Sequence, residues 1–310
     1  MISAGTPVRP PLSSVEPFAV SPLLPYPPGW VQTLFDRTSL EPPTRAGYAS
    51  AITAGRFSLF ATVVPDAVSL APGDLRRQVR EAYAVIADVL ARDRRQPIRF
   101  WNFLPSPGAA LGDGINRYMV FNQGRYDAYA RWYGTPRAFS HSLATASAVG
   151  VASDDYVLYC LASDTPGVPV ENPRQTPAWQ YSSRYGPRPP CFARATVADI
   201  SGTRSLLIGG TASIVGEDSV HPGNVVAQVD ETQRNMSALI AAARGAVNEP
   251  MEASLARMTH VRVYIRDLNH AGTIVAAIQR RCSNRATIEA ALSAVCRPEL
   301  LVEVEAIADL

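Results

Sequence analysis

The chain has 310 residues, 47% of them hydrophobic, and a mean hydropathy of −0.01. Its net charge is only +2, and its 29 basic residues, all arginine, are interspersed with 27 acidic ones. This excludes the clustered basic face of a nucleic-acid-binding protein, and no segment reaches the ~18 consecutive apolar residues of a membrane span. We expect a globular protein, long enough for two domains, with neither nucleic acid nor membrane as a partner.

The N-terminal segment is rich in proline: ten of the 26 prolines fall within the first 43 residues. Proline fixes φ and removes a backbone donor, so residues 1–45 are predicted to form an extended arm. This arm either wraps the body or stays mobile, with regular structure beginning after Pro43. The segment has a lone Arg9 and no apolar stretch typical of a signal peptide, so we expect a cytoplasmic protein.

The first half of the chain alternates between strand and helix patterns. A helix is predicted at 71–93, where apolar residues recur at helical spacing, and a second at 125–134. Strands are predicted at 56–65, 97–105 and 117–124, with two more within 146–163. This half forms a predicted N-terminal domain over residues 46–165.

The second half resumes a similar pattern after an irregular connection, residues 164–190, that contains seven prolines. Strands are predicted at 191–198, 205–215, 258–267 and 299–308, and helices from about Asp230 and at 271–282, while 285–295 is ambiguous. Both halves are α+β. We therefore predict a C-terminal domain, residues 166–310, that is a diverged copy of the first.

The cysteines do not predict a metal site. Cys160, Cys191, Cys282 and Cys296 are scattered, with no CxxC pair and no histidine at ligand spacing. This pattern favours reduced thiols, and no metal and no cofactor is expected.

The last strand carries two carboxylates. Alternation in "LLVEVEAIA" places Glu303 and Glu305 on one face, together with Leu301 and Ile307. Such a carboxylate either lies at a solvated sheet edge or is a general acid with a raised pKa, and spacing alone favours the edge. Two further features are ambiguous. Cys296 is a buried hydrophobe or a reactive group, and Gly209 and Gly210 are a bulge or a place where the backbone approaches a ligand.

An arginine-rich and tyrosine-rich stretch spans the end of the irregular connection and the start of the strand that follows it. Residues 179–195 contain Arg184, Arg188, Arg194, Tyr181 and Tyr185. Guanidinium groups bind carboxylates in bidentate geometry, so the stretch is consistent with a site for a small dianionic acid. The alternative is an arginine-rich surface loop, with Arg194 extending to solvent from an apolar strand.

These segments resemble a known family. Residues 190–310 resemble the RidA (YjgF-like) fold. The segments that carry the resemblance are "CFARATV", "SLLIGGTAS", "VDETQRNM", "THVRVYIRD" and "LLVEVEAIA". Most of the chain after the arm is similar to the chorismatases, two-domain RidA-like enzymes that act on chorismate, in "RFWNFLP", "NRYMVFNQGRYDAY", "QYSSRYGPRPPCFARA" and "VCRPELLVEVEA". The resemblance implies an α+β fold of two RidA-like domains with mixed sheets packed against helices.

The resemblance also implies roles for individual residues. Glu303 matches the family's catalytic acid, and Gly209 and Cys296 match the residues of the type that forms 3-hydroxybenzoate and pyruvate. Gly209 would leave room for movement of the ring, and Cys296 would assist proton transfer or exclude water. In this interpretation Arg194, with Arg184 and Tyr185, binds the two carboxylates of chorismate, and Gly210 borders the ligand.

Two other functions stay open at this stage. One is a hydrolytic chorismatase that yields a dihydroxycyclohexadiene carboxylate and pyruvate. The other is a RidA-like imine deaminase or small-molecule binding protein, although Ile288 stands where such deaminases carry an arginine. The sequence does not distinguish 3-hydroxybenzoate from 4-hydroxybenzoate as the product, nor a monomer from a homotrimer.

Overall fold

The computed structural model describes residues 20–35, 40–246 and 248–310. The first described segment contains a short strand, β1 (Ser21–Pro22), and a short helix, α1 (Gly29–Leu34). Strand β1 pairs with a strand of the C-terminal sheet, and Trp30 of α1 is buried. Regular structure therefore begins earlier than the proline content predicted, because apolar residues between the prolines pack on the body. Residues 1–19 and 36–39 of the predicted arm lie outside the described residues.

The N-terminal half forms a five-stranded sheet in the order β2-β3-β6-β4-β5. Its strands are β2 (Ser50–Ala54), β3 (Phe57–Val64), β4 (Gln96–Pro105), β5 (Thr145–Val151) and β6 (Tyr156–Ser163). Its helices are α2 (Pro72–Arg92), α3 (Arg117–Tyr133) and α4 (Pro136–Ser142). Among the described strands of this sheet only β4 and β5 pair in parallel, and α3 lies in the connection between them.

The C-terminal half contributes six strands to a seven-stranded sheet, in the order β1-β13-β12-β14-β9-β8-β7. Its strands are β7 (Val168–Val170), β8 (Ala195–Ile200), β9 (Thr203–Thr211), β12 (Met258–Ile265), β13 (Thr287–Leu292) and β14 (Val302–Asp309). A small hairpin is formed by β10 (Ile214–Val215) and β11 (Asp218–Ser219). The helices are α5 (Val225–Arg244), α6 (Met251–Leu255) and α7 (Ala271–Gln279).

The two halves repeat one topology. The order β2-β3-β6-β4-β5 has its counterpart in β8-β9-β14-β12-β13, and each parallel pair is joined through a helix. The predicted α+β class is confirmed by this architecture, and the repeated order supports an internal duplication.

The two sheets face each other and the helices cover their outer faces. One apolar cluster fills the space between the N-terminal sheet and α2 and α3, and another fills the space between the C-terminal sheet and its helices. The third, which includes Trp101 and Tyr159 from one sheet and Leu207 and Ile307 from the other, lies between the sheets. Side chains of β14 that alternate toward this interface are therefore buried between two layers of sheet.

The strand predicted at 117–124 is wrong: these residues form the first half of α3. The side chain of Asn116 caps the helix by accepting a hydrogen bond from the Met119 backbone at 2.9 Å. Gly124 does not end a strand but allows close packing on α2, since a β-carbon there would lie 2.5 Å from the Arg76 carbonyl. The apolar run obscured a helical period whose buried positions include Val120, Phe121 and Gly124.

Three other predicted elements change. Helix α5 begins at Val225, capped by Asn224, rather than near Asp230. The strand predicted at 205–215 ends at Thr211 and is followed by the separate strand β10. The ambiguous segment 285–295 contains strand β13.

None of the described helices is long and apolar enough to cross a membrane.

Candidate active site

A cavity of about 210 Å³ opens to solvent where the two sheets meet the 181–194 segment. Both halves of the chain contribute to its wall. It is lined by Asn116, Tyr118, Met119, Arg125, Ala146, Ala148, Tyr181, Tyr185, Pro190, Phe192, Arg194, Gly210, Ala212, Ile214, Cys296, Arg297, Pro298, Glu299 and Glu303. The sequence-predicted residues Glu303, Cys296, Tyr185, Arg194 and Gly210 therefore meet at one site.

Glu303 lies on β14 in the middle of the sheet, between β12 and β9, and is only 4% exposed. The solvated-edge interpretation is therefore wrong. Burial, together with the nearby carboxylate of Glu305, raises the pKa of its carboxyl to about 8, against the opposing charges of Arg99 and Arg194. Its carboxyl oxygens accept no hydrogen bond from any residue in the described ranges. At neutral pH this carboxyl carries a proton that it can donate into the cavity.

A β-bulge positions the two glycines beside Glu303. On β9, Ile208 pairs with Ala306 and Thr211 pairs with Val304, so Gly209 and Gly210 together oppose Glu305. A β-carbon on Gly210 would collide with the carboxyl of Glu303. The absent side chain of Gly210 is therefore what makes room for the acid.

Gly209 does not line the cavity. A β-carbon there would lie 2.5 Å from Thr145 Oγ1 and 2.9 Å from the Ala146 carbonyl, both on β5 of the opposite sheet. The predicted direct contact between Gly209 and the ligand is not supported by this geometry. Gly209 instead allows the two sheets to approach closely behind the cavity wall.

Three cavity arginines have no carboxylate partner within ion-pair distance among the described residues: Arg125, Arg194 and Arg297. Arg194 donates to the Thr176 carbonyl at 3.0 Å and to the Tyr181 hydroxyl at 2.7 Å. Arg125 donates to the side chain of Asn122 at 2.8 Å. Guanidinium groups held by neutral acceptors keep their charge available for an anionic ligand. This favours the anion-binding interpretation of Arg194 over the snorkelling one.

Each of these three arginines lies beside an aromatic ring of the cavity wall. The guanidinium carbons of Arg125 and Arg194 lie 5.5 and 5.2 Å from the centre of the Phe192 ring. Those of Arg194 and Arg297 lie 5.6 and 5.4 Å from the centre of the Tyr181 ring. Each ring is in cation–π range of two arginines, which stabilises neighbouring positive charges without neutralising them.

Arg184, which the sequence placed with the ligand, does not line the cavity. Its side chain is 60% exposed and forms ion pairs with Glu217 at 3.0 Å and Asp218 at 2.5 Å. Tyr185 donates to Asp218 at 2.9 Å, and its ring lies 3.9 Å from the guanidinium carbon of Arg297. Arg184 therefore fixes the 183–185 turn at the rim, whereas Tyr185 contributes to the wall.

Cys296 lines the cavity as a neutral thiol. Burial, together with the carboxyl of Glu303, raises its pKa to about 12. A thiol of this kind is no nucleophile at neutral pH. The two roles implied by the resemblance, proton transfer and water exclusion, are both compatible with a protonated thiol.

Sequence analysis missed three functional candidates. Arg297 directly follows Cys296, and its adjacency to a singled-out residue was the available signal. Arg125 and Tyr118 belong to α3, where the misassigned strand concealed the helical face that Arg125 shares with Phe121. The described residues contain no group of three or more histidine, cysteine, aspartate or glutamate side chains able to hold a metal ion.

A buried charge cluster lies directly behind the cavity. Arg99 on β4 pairs with Glu305 on β14 at 2.5 Å, and Trp101 donates to Glu305 at 3.0 Å. Ser147 on β5 hydrogen-bonds to Glu305 and accepts a hydrogen bond from the Gly210 backbone at 3.0 Å. The cluster joins the N-terminal sheet to the strand that carries Glu303.

Known proteins are similar to this chain in sequence and in fold. The family profile described as "Chorismatase FkbO/Hyg5-like, N-terminal" matches residues 42–162. A 3-hydroxybenzoate synthase of Streptomyces hygroscopicus is 30% identical over 243 residues, which cover 76% of this chain and 70% of that protein. A chorismatase of Streptomyces rapamycinicus is 31% identical over 67% of this chain and 63% of its own length. A chorismatase crystal structure, 24% identical, superimposes with a TM-score of 0.74 over 86% of this chain and 78% of that chain.

Proposed function

This chain belongs to the chorismatase family, and we propose that it converts chorismate to 3-hydroxybenzoate and pyruvate in the cavity around Glu303. The observation that carries the proposal is the combination of a buried, protonated carboxyl with cationic groups that lack an anionic partner in the described structure. Chorismate has groups that match both features: two carboxylates that the cationic groups can bind, and an enol ether that an acid can protonate. The curated relatives support the reaction class, and the relative named a 3-hydroxybenzoate synthase supports the product.

The arginines bind and orient the substrate. Three guanidinium groups are offered to two carboxylates: those of Arg125 and Arg194 beside Phe192, and that of Arg297 beside Tyr185. Charge-assisted hydrogen bonds in a partly desolvated cavity fix the ring against the wall that bears Glu303. Both predicted domains, 46–165 and 166–310, are needed, because Arg125 comes from the first and the acid from the second.

Glu303 begins the reaction as a general acid. Its proton is transferred to the terminal methylene carbon of the enolpyruvyl group, and the ether oxygen shares the positive charge that results. The hydroxyl oxygen on the neighbouring ring carbon then attacks the carbon that bears the ether, and the C–O bond to pyruvate breaks. The hydroxyl proton returns to the Glu303 carboxylate. The arene-oxide-like intermediate isomerises to 3-hydroxybenzoate, so that substrate and products balance without water.

The cavity wall supports this route by shape and by neutrality. Ala146, Ala148 and Ala212 present small apolar side chains, which leave room for the ring and place no polar group at that part of the wall. The protonated Cys296 thiol lies at the same wall and offers a donor for the later proton transfers.

Turnover of chorismate in ¹⁸O-labelled water tests the proposal. We expect 3-hydroxybenzoate with an unlabelled phenol oxygen, and loss of turnover in Glu303→Gln. A dihydroxycyclohexadiene carboxylate as the ring product would instead identify the hydrolytic reaction, in which water attacks the protonated side chain and its oxygen enters pyruvate. The keto oxygen of pyruvate exchanges with water, so the ring product decides between the two. Absence of any turnover by the folded protein would reject both reactions.

A further inference from the structure

The catalytic carboxyl has a second carboxylate behind it that the reaction itself does not use. Glu305 is two residues along β14 from Glu303, lies on the same face of the sheet and is 2% exposed. Its partners Arg99, Trp101 and Ser147 all belong to the N-terminal sheet. A buried ion pair contributes little net stability compared with apolar packing, so its presence directly behind an active site calls for a functional account.

We propose that Glu305, held by Arg99 and Ser147, is a positioning residue of the active site. It places a negative charge near the Glu303 carboxyl, and through Ser147 it holds the bulge at Gly210 that leaves space for that carboxyl. The inference rests on the proposed role of Glu303 as the acid. Glu305 does not border the cavity, so it acts only through Glu303 and Gly210.

The first effect is electrostatic. The carboxylate of Glu305, which is paired with Arg99, disfavours a second negative charge nearby, and this favours the protonated form of Glu303. The charged and titratable groups that face Glu303 from the surrounding elements are Glu305 on β14, Arg99 on β4, Tyr118 on α3, Arg194 before β8, Tyr264 on β12 and Cys296 before β14, and the same cavity is lined by Arg125, Tyr181, Tyr185, Arg297 and Glu299. Of the two other carboxylates in this set, Glu305 is the one whose charge raises the pKa of Glu303.

The second effect is mechanical. The Gly210 N–H is part of the bulge and has no place in the regular strand pairing, and Ser147 Oγ accepts its hydrogen bond at 3.0 Å. Ser147 is held in turn by Arg99, which donates to the same oxygen at 2.5 Å, and by Glu305. The position of Gly210, and with it the space for the Glu303 carboxyl, is thereby tied to the N-terminal sheet.

The test separates the two effects by pH profiles of kcat/KM. In Glu305→Gln the like charge is lost, so we expect the alkaline limit of activity to move about one to three pH units lower. In Ser147→Ala the charge pair remains but the bulge loses its acceptor. There we expect kcat to fall about tenfold or more with the alkaline limit unchanged. Glu231→Gln is the matched control, because Glu231 is also a buried glutamate paired with an arginine but lies on α5, and its limit should not move.

A second variant guards against misfolding of Glu305→Gln, which leaves Arg99 buried without its partner. Arg99→Met/Glu305→Gln removes both charges, and its alkaline limit should fall between those of the single variant and the native chain. Infrared difference spectra of the protonated carboxyl, assigned by its disappearance in Glu303→Gln, report the same titration without substrate.

The spectra separate failure of this inference from failure of the proposed function. If the native chain turns over no chorismate but the Glu303 carboxyl still titrates lower in the Glu305 variants, only the function is rejected. If the carboxyl titrates at the same pH in the native chain and in both Glu305 variants, the positioning role is overturned.

Discussion

The carboxyl of Glu303 occupies the space that a β-carbon on Gly210 would fill. The two residues lie on adjacent strands, β14 and β9, and are brought together by the bulge at Gly209 and Gly210. An acid on a central strand normally has no room beside the neighbouring backbone, and glycine at the bulge supplies it.

Gly210→Ala is expected to fold and to lose activity by about a hundredfold, because the new methyl group displaces the flexible end of the Glu303 side chain from its reacting position. Steady-state kinetics with chorismate measure the loss. Gly272→Ala is the control, since nothing lies within 4 Å of a β-carbon at that helical position. Native kinetics in Gly210→Ala would show that the position of the carboxyl is not critical.

Gly209→Ala tests the resemblance-based link between this glycine and the product. Its β-carbon would press on Thr145 and on two backbone carbonyls rather than enter the cavity, so we expect a loss of about 1–3 kcal/mol in the free energy of unfolding. Displacement of the neighbouring bulge is also expected to shift the product toward the diene diol. Chromatography of the ring products and urea unfolding check the two effects. An unchanged product ratio would remove Gly209 from the account of specificity.

Much of the fold could be predicted from local pattern. The long helix α2 and the strands β3, β4 and β6 follow their predicted ranges closely, because apolar spacing and a proline near the helix start are local signals. The helical start of α3 could not be recognised, since the contact between Gly124 and α2 that explains its glycine depends on tertiary packing.

The site was predictable where a residue's chemistry was unusual for its setting. Glu303 on an apolar strand and Arg194 in an apolar stretch were both identified, and both are buried at the cavity. Arg184 and Arg194 looked equivalent in sequence, yet the acidic hairpin 217–218 pairs with Arg184 and leaves Arg194 for the cavity. Which arginine pairs with which acid depends on chain segments that are far apart in sequence. Local alternation of side chains therefore cannot predict these ion pairs.

The raised pKa of Glu303 has a consequence for stability. Its folded-state pKa of about 8 lies above the ordinary value of about 4.3 for an unfolded glutamate. The native state therefore binds this proton more tightly, so its contribution to stability is complete below about pH 4 and is lost as pH rises toward about 8. Glu171, whose pKa burial raises to about 7, acts in the same direction.

Glu303→Gln removes this dependence. Compared with the variant, the native chain should lose on the order of a few kcal/mol of unfolding free energy between pH 5 and pH 9. Urea unfolding at both pH values measures the difference. Glu252→Gln, at an exposed position on α6, is the control. Parallel pH profiles for Glu303→Gln and the native chain would contradict a raised pKa at this position.

Arg125 is predicted to bind substrate at a cost in stability. It is 1% exposed, its Nε has no partner in the described structure, and its guanidinium donates to the neutral side-chain amide of Asn122. Arg125→Met is therefore expected to lower kcat/KM roughly 10- to 100-fold while leaving the melting temperature unchanged or higher. Arg188→Met, an exposed arginine stacked on Tyr126 outside the cavity, should change neither quantity. A marked loss of stability in Arg125→Met would instead assign this arginine a structural role.

Arg184 and Arg297 both lie beside Tyr185, but we expect their substitution to have different effects on kcat/KM. Arg184 faces solvent and pairs with exposed carboxylates, so Arg184→Gln should alter kcat/KM by no more than about threefold. Arg297 lines the cavity, is 9% exposed and donates only to neutral oxygens, so Arg297→Gln should lower kcat/KM by about tenfold or more. Kinetics of both variants at low and high ionic strength distinguish rim from cavity, since salt screens the exposed charge more than the buried one. Equal losses in the two variants would return Arg184 to the binding site where the sequence had placed it.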